Sequence, residues 1–190
     1  MRSDDELIVL VRPAAAETPD LRRDPGLTVR RATAADAELY ARVIGTDSAA
    51  TFRRRLTATT HCFLVHLGDD LLHASWVTTS AAWTREIGGF LVPPPGDAYV
   101  YESFTHPDAR GRGVYPFALA GICDWAAETR VSHVWVAVEK GNAASLKAIR
   151  KAGFEPSYTI RYARRFGRLT VATDRPEGRT IPDVVRRLQG

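Results

Sequence analysis

At 190 residues the chain fits one domain with a sizeable buried core, and its 45% hydrophobic and 25% charged content is ordinary for a globular protein. The longest early apolar run, Leu7 to Val11, follows Asp4, Asp5 and Glu6 and is too short for a signal core or a membrane span, so a cytoplasmic location is expected. The net charge of +4 comes almost wholly from arginine, since Lys140, Lys147 and Lys151 are the only lysines, and much of it lies late, at Arg161, Arg164, Arg165, Arg168, Arg175, Arg179, Arg186 and Arg187. A basic surface is one mark of nucleic-acid binding, but a solvated strand face that helps attract an anionic small molecule is favoured, and no nucleic-acid or membrane partner is expected.

Leu7 to Val11 reads as a short extra strand in an N-terminal extension, residues 1–26, followed by a loop from Pro13 to Gly26. The main domain is expected over 27–172, with a tail at 173–190. It opens with a strand at Leu27 to Ala32. Thr33 then suits an N-cap with Asp36 three residues on, as an approximate capping box. One helix is expected to about Ile44 and a second from about Ser48 to Ala58. His61 to Leu67 and Leu71 to Thr79 form a hairpin around Gly68-Asp69-Asp70. Ser80 to Asp97 carries no clear period. Next come a strand at Ala98 to Thr105, a helix at Val114 to Thr129, a strand at His133 to Val138, and a helix at Ala143 to Ala152 ended by Gly153. Ser157 to Arg165 and Leu169 to Ala172 read as an antiparallel ribbon, and Pro182 to Leu188 as a tail helix. Cys62 and Cys123 sit in apolar surroundings and read as buried free thiols; no metal-ligand spacing exists.

The most informative segment is His106-Pro107-Asp108-Ala109-Arg110-Gly111-Arg112-Gly113-Val114-Tyr115-Pro116. It joins a strand to an apolar helix through a turn with two glycines. Such a turn brings N–H groups to one side, next to the unpaired donors and positive dipole of the helix's first turn, and Arg110 and Arg112 add charge. The place suits a pyrophosphate. A Walker loop would need Gly-Lys-Ser/Thr where Gly113-Val114-Tyr115 stands, and a Rossmann fingerprint would need glycine at Pro116 after the first strand. Both fail. The segment resembles motif A of the GNAT superfamily of acyl-CoA-dependent N-acyltransferases, Gln/Arg-x-x-Gly-x-Gly/Ala, here Arg110-x-x-Gly113-x-Tyr115. Asn142-Ala-Ala-Ser145-Leu-Lys-Ala-Ile149-Arg-Lys-Ala-Gly153-Phe154 resembles motif B, at a distance that suits one intervening helix and strand. The resemblance spans at least Leu27 to Phe166.

It implies an α/β (α+β) GNAT fold: a mixed, mostly antiparallel central sheet, splayed between the fourth and fifth core strands and flanked by helices. It implies acetyl-CoA or another acyl-CoA as donor, held by Arg110, Gly111, Arg112, Gly113, Val114, Tyr115 and Pro116, by main-chain groups of Phe104 and Thr105 along the pantetheine, and by Asn142 and Ser145. For Asn142, helix capping alone is an equal reading. Tyr115 replaces the usual small residue, so its side chain must turn away from the diphosphate. Ile149 replaces the tyrosine that protonates the leaving thiolate in many relatives; Tyr115, Tyr158 and Tyr162 are its possible substitutes.

Transfer to an amine needs a proton acceptor, because an alkylamine has a pKa of about 10. Glu102 is the candidate. In strict alternation it shares a face with Val100 and Phe104, where a carboxylate must be paired or wet. The competing reading is a structural ion pair with an arginine of the last strands. Trp83, Tyr101 and Tyr158 are candidate acceptor contacts; the histidines and Trp125 read as structural. The expected activity is acyl transfer to a primary amine by direct attack, with a small molecule first, a protein N-terminus or lysine second, and a non-catalytic binding module as the alternative from another class. The alternating ribbon suggests a homodimer.

Overall fold

The computed structural model describes residues 5–21, 23–165, 168–174 and 180–185. Eight strands form the main sheet: β1 (Asp5–Pro13), β2 (Leu27–Arg31), β3 (Thr60–Leu67), β4 (Asp70–Thr78), β7 (Ala98–Thr105), β8 (His133–Glu139), β9 (Glu155–Arg165) and β10 (Arg168–Asp174). Their spatial order is β10-β9-β1-β8-β7-β4-β3-β2. Neighbours run antiparallel except β7 and β8, which are parallel. Three short strands, β5 (Ala82–Thr84), β6 (Gly89–Val92) and β11 (Asp183–Val185), make a second sheet with β6 in the middle.

Helices cover both faces of the main sheet. Along β3 and β4, Phe63 and Val77 join the core under α3 (Val114–Glu128) and α4 (Ala143–Lys151), while Cys62 and Trp76 join the core under α1 (Ala37–Val43) and α2 (Ala49–Arg55). That is the period-2 alternation of a strand buried on both sides. The five-residue run Leu7 to Val11 is apolar throughout for the same reason: Leu10 packs toward α3 and α4, and Leu7 and Val9 pack under the small sheet. β1 is nine residues long and lies between β8 and β9, so this N-terminal strand is internal to the sheet.

Most expected elements are present within one to three residues. The first helix begins as a 3-10 turn, Ala34–Asp36, before α1. The second stops at Arg55 rather than Ala58, because the Thr57 hydroxyl accepts from the N–H groups of Thr59 and Thr60 and holds those residues in a turn. Ser80 to Asp97, which carries no clear period in sequence, contains the β5–β6 hairpin. One expectation needed correction: Pro182 to Leu188 does not start as a helix, since Asp183–Val185 pairs with Phe90–Val92, as suits two adjacent valines. Arg175, Arg179, Arg186 and Arg187 lie outside the described residues. Cys62 and Cys123 are buried and unbonded. No described helix is long and apolar enough to cross a membrane.

Two buried charges fasten the frame. Arg12 of β1 is 1% exposed and donates to the carbonyls of Ala152 (3.1 Å) and Ala16 (2.8 Å), closing the C-terminal end of α4, where Gly153 takes a φ of +83°. Asp36 accepts from the Thr33 N–H at 2.7 Å and pairs with Arg30 at 2.5 Å, so the expected capping box forms.

The hydrogen bond from Arg30 is the main cause that holds the Asp36 carboxyl down at about 2. A carboxyl depressed in the folded state stabilises the fold above its unfolded pKa of about 3.9, and that contribution fades as pH falls toward 2. Arg30 is 45% exposed, so solvent screening limits the effect. Asp36→Asn should therefore cost about 1 kcal/mol at neutral pH, with the difference from the parent shrinking between pH 4 and 2. Urea unfolding at several pH values measures it; a difference constant with pH would refute the assignment.

Candidate active site

β7 and β8 pair at Ala98–Val134, Tyr99–Trp135 and Val100–Val136, and their pairing ends there. The cause lies on the other edge of β7. Opposite β4, Tyr101 pairs with Trp76 and Phe104 with Ala74, so Glu102 and Ser103 both face Ser75. Two residues against one is a β-bulge, and Glu102 sits in it with a φ of +47°. A bulge bends its strand and increases local twist, which carries the end of β7 away from β8. β8 stays straight because β1 pairs with it along its whole length.

The bulge also resets which way side chains point. Tyr101 and Glu102 both reach Arg55 of α2, on one face, whereas Ser103 reaches Ser75 and Thr105 reaches His73 on the other. Phe104 packs against the core cluster that holds Trp76 and Tyr40. Strict alternation, which grouped Glu102 with Val100 and Phe104, is thus broken between Tyr101 and Glu102.

A cavity of about 550 Å³ fills the opening. Its walls come from β7 (Tyr99 to Ser103), β8 (Val136 to Glu139), α3 (Tyr115), α4 with its cap (Asn142, Ser145, Ile149) and the β5–β6 hairpin (Trp83 to Glu86). Trp83 is 52% exposed and meets Phe90 edge-on. Glu86, Glu102 and Glu139 give the cavity three carboxylates beside the rings of Trp83, Tyr99 and Tyr101. Such a lining suits a cation with an apolar body. Tyr158 is not part of it. Its ring lies against Trp135 and its hydroxyl donates to the carbonyl of Pro182, under the small sheet.

Glu102 is paired, but its partner is Arg55 rather than an arginine of the last strands. Arg55 Nη2 lies 2.6 Å from Glu102 Oε2; Nη1 bonds Asp47; the guanidinium carbon stands 4.0 Å from the Trp76 ring centre and 5.5 Å from that of Tyr101. Burial alone would push this guanidinium down, but Tyr101 and Glu102 outweigh it and raise it. The cation is therefore permanent, and it fixes α2 to the bulge.

The glycine turn before α3 has its two glycines in the left-handed region. Gly111 and Gly113 both take a φ of +78°, a conformation that disfavours side chains, and a Cβ on Gly111 would meet open space. The turn therefore presents bare backbone to solvent beside the first turn of α3. Val114 and Pro116 are buried, and Pro116 has no N–H to offer a ligand. The Arg110 side chain is exposed and bends back to the Thr105 carbonyl at 3.4 Å, whereas Arg112 is held by Asp24 at 2.5 Å. Arg112 thus braces the turn against the N-terminal loop. Tyr115 turns away from the turn into the sheet, stacked on His73 with ring centres 5.3 Å apart. Asn142 Oδ1 accepts from the Ser145 N–H at 3.1 Å, so it does cap α4 while lining the cavity.

Sequence reasoning missed Arg55, His73, Ser75 and Ser103. One signal was available: His73 and Ser75 alternate on a strand face that continues into Val77, so two polar groups stand at core positions.

Residues 26–155 match the family model described as "Acetyltransferase (GNAT) domain". The chain belongs to the GNAT acetyltransferases. No curated protein sequence matches it. Among solved structures it is similar to a GCN5-related N-acetyltransferase from Sphaerobacter thermophilus, with a TM-score of 0.60, 13% identity, and coverage of 92% of this chain and 53% of that one. It is also similar to the ribosomal-protein alanine N-acetyltransferase from Escherichia coli (TM-score 0.53, 16% identity, 68% and 77% covered). A third is AAC(6')-Iy in complex with the bisubstrate analogue CoA-S-monomethyl-acetylneamine (TM-score 0.54, 13% identity, 68% and 90% covered). At these identities the likeness is one of fold.

The role of Arg55 is testable. Arg55→Met would strip the partner from Asp47, which is 13% exposed, and from Glu102, and should lower stability by about 2 kcal/mol in urea unfolding. Lysine should restore little, since one ammonium cannot serve both carboxylates and lie flat on Trp76. A fully stable Met variant would show that the pair holds nothing.

Proposed function

We propose that the protein transfers an acetyl group from acetyl-CoA to a primary amine on a small cationic molecule. The observation that carries this reading is the opening between β7 and β8, which has a bare-backbone turn at one end and Glu102 with an acidic, aromatic cavity at the other. An acyl-CoA fits it as follows. The diphosphate lies against the N–H groups of Gly111 and Gly113 and the first turn of α3, beside Arg110. The pantetheine runs along the freed edge of β7, where main-chain groups at Phe104 and Thr105 pair with its amides as an added strand would. The thioester then reaches the bulge.

In the mechanism, Glu86, Glu102 and Glu139 attract the cationic acceptor, and the rings of Trp83 and Tyr101 hold its body. Arg55 takes Oε2 of Glu102 and so aims Oε1 at the ammonium or at one bridging water. The carboxylate removes a proton, the neutral nitrogen attacks the thioester carbonyl carbon, and the oxyanion is met by a main-chain N–H near Phe104. Collapse breaks the C–S bond and leaves the amide. The small molecule is preferred to a protein terminus because three carboxylates and four aromatic rings surround one cavity.

Calorimetry should detect coenzyme A binding that weakens as salt rises, and Gly113→Asp, which sets an anion and a side chain at φ +78°, should abolish it. No binding at millimolar ligand would end the assignment. Glu102→Gln keeps the shape and loses the base: turnover should fall by roughly 10²–10⁴-fold with coenzyme A affinity unchanged. The parent rate should rise with pH until base and amine are both deprotonated. A Gln variant that keeps full turnover and loses only stability would leave Glu102 as the anchor of Arg55.

A further inference from the structure

The small sheet beside the cavity is assembled from distant parts of the chain. β5 and β6 pair only at Ala82–Leu91, Trp83–Phe90 and Thr84–Gly89. A two-stranded hairpin of that size is marginal in water. Its third strand is β11, which pairs with β6 at Asp183–Val92, Val184–Leu91 and Val185–Phe90, and with no other described strand. Residues opposite one another share a face, so two rows cross this sheet. Ala82, Leu91 and Val184 make the inner row, and all three belong to the core cluster that holds Tyr99 and Trp135. Trp83, Phe90 and Val185 make the outer row, where the Trp83 ring meets Phe90 edge-on at 5.2 Å.

The approach to β11 is fastened too. Ile181 is 6% exposed in the same core cluster, and the carbonyl of buried Pro182 accepts from the Tyr158 hydroxyl at 3.2 Å. The hairpin turn fits closely against β10: Gly88 takes a φ of +53°, and a Cβ there would come within 2.8 Å of Leu169. What this framework presents is one wall of the cavity, Trp83 to Glu86. Trp83 is the one large apolar side chain left exposed among the described residues. Covering apolar surface would need only Ile181. It does not account for a strand that continues into register with Leu91 and Phe90, the partners of Ala82 and Trp83. The stretch 26–155 that matches the family holds the hairpin but neither Tyr158 nor β11.

We propose that β11 and Tyr158 are positioning elements for the acceptor: they hold the β5–β6 hairpin in place, so that Trp83 and Glu86 discriminate among the amines that reach the thioester. The proposal rests on the acyl-CoA transferase reading. A wall already ordered offers its ring and carboxylate at once. A hairpin that must order on each encounter diverts part of the binding energy to that step, so an amine that touches the wall binds more weakly. A nucleophile that touches only the thioester is indifferent to the wall. The framework therefore acts on the KM of bulky amines and leaves coenzyme A binding and the chemistry at Glu102 alone.

The test compares the parent with two variants. Val184→Pro places a strand-breaking residue in the middle of a three-residue strand, and Tyr158→Phe removes one hydroxyl while keeping the ring. Hydrogen exchange read by mass spectrometry should quicken over Ala82 to Val92 by about tenfold in the first and about threefold in the second, with β3, β4 and α3 unchanged. Each protein then receives acetyl-CoA with butylamine, phenethylamine or agmatine, and with hydroxylamine, which is uncharged at neutral pH and needs no wall. The parent should discriminate among the three amines. Val184→Pro should raise the KM of the preferred one about tenfold, with kcat and the hydroxylamine rate within about twofold of the parent. If Val184→Pro exchanges fast throughout the chain, Tyr158→Phe decides, with a KM rise of about threefold. Hairpin exchange unchanged in both variants would overturn the proposal, as would a freed hairpin with an unchanged KM, or an equal loss for hydroxylamine. So would a parent that acetylates hydroxylamine and treats the three amines alike. A parent that binds acetyl-CoA and acetylates nothing, hydroxylamine included, would overturn the transferase reading itself.

Discussion

The bulge on β7 is the constraint from which the rest of the site follows. One extra residue opposite Ser75 ends the pairing between β7 and β8 after Val100, and the space so opened is the cavity. The same residue puts Tyr101 and Glu102 on one face and returns Ser103 and Thr105 to the other. A bulge is strained when its residue has a side chain at positive φ, as Glu102 does at +47°, so the neighbours must hold it. They do so from both faces: Arg55 binds the Glu102 carboxylate above, and Ser75 binds Ser103 below. Remove either hold and the alternative is a regular strand that zips further along β8.

Arg55 shows how a distant element becomes part of a site. α2 is only seven residues long and would not be stable alone. Its last residue spans from Asp47, in the loop before the helix, across Trp76 of β4 to Glu102. Trp76 meets Tyr40 and Phe52 edge-on beneath it, with Tyr40 and Phe52 tilted against each other and Trp76 Nε1 donating to the Tyr40 hydroxyl at 3.0 Å. The helices that border the acceptor side are thus tied to the bulge by one cation over one indole.

Local features were legible in the chain; long-range ones were not. The turn at Gly111 and Gly113, the capping box at Thr33 and Asp36, and the stop at Gly153 each depend on residues within a few positions of one another. Their physics is written in adjacent letters. The splay of the sheet was expected only by family likeness, because period-2 alternation through Tyr101, Glu102 and Ser103 gives no sign of the extra residue that causes it. The partner of Glu102 lies 47 positions upstream, so many arginines were equally eligible. Tyr158 looked like a site residue until its strand was placed: β9 lies beyond β1, a full two strands from the opening. His73 and Ser75 were missed although they are polar groups in a buried strand, and their connection to Ser103 depends on the bulge.

The placement of β1 has a consequence for how the chain assembles. Leu7 pairs with Glu139 on one side and with Ile160 on the other, so β1 must wait for partners about 120 to 150 residues later. Closing so long a loop is entropically slow, and strands joined this way dominate the folding time of a domain. Hairpins such as β3 with β4 and β9 with β10 can form early from near neighbours. The far wall of the cleft, β8 with β1 along it, is then among the last parts to lock. Until those partners are made, the run Leu-Ile-Val-Leu-Val has nothing to pair with, an aggregation hazard bordered by Asp4, Asp5 and Glu6 on one side and by Arg12 and Pro13 on the other.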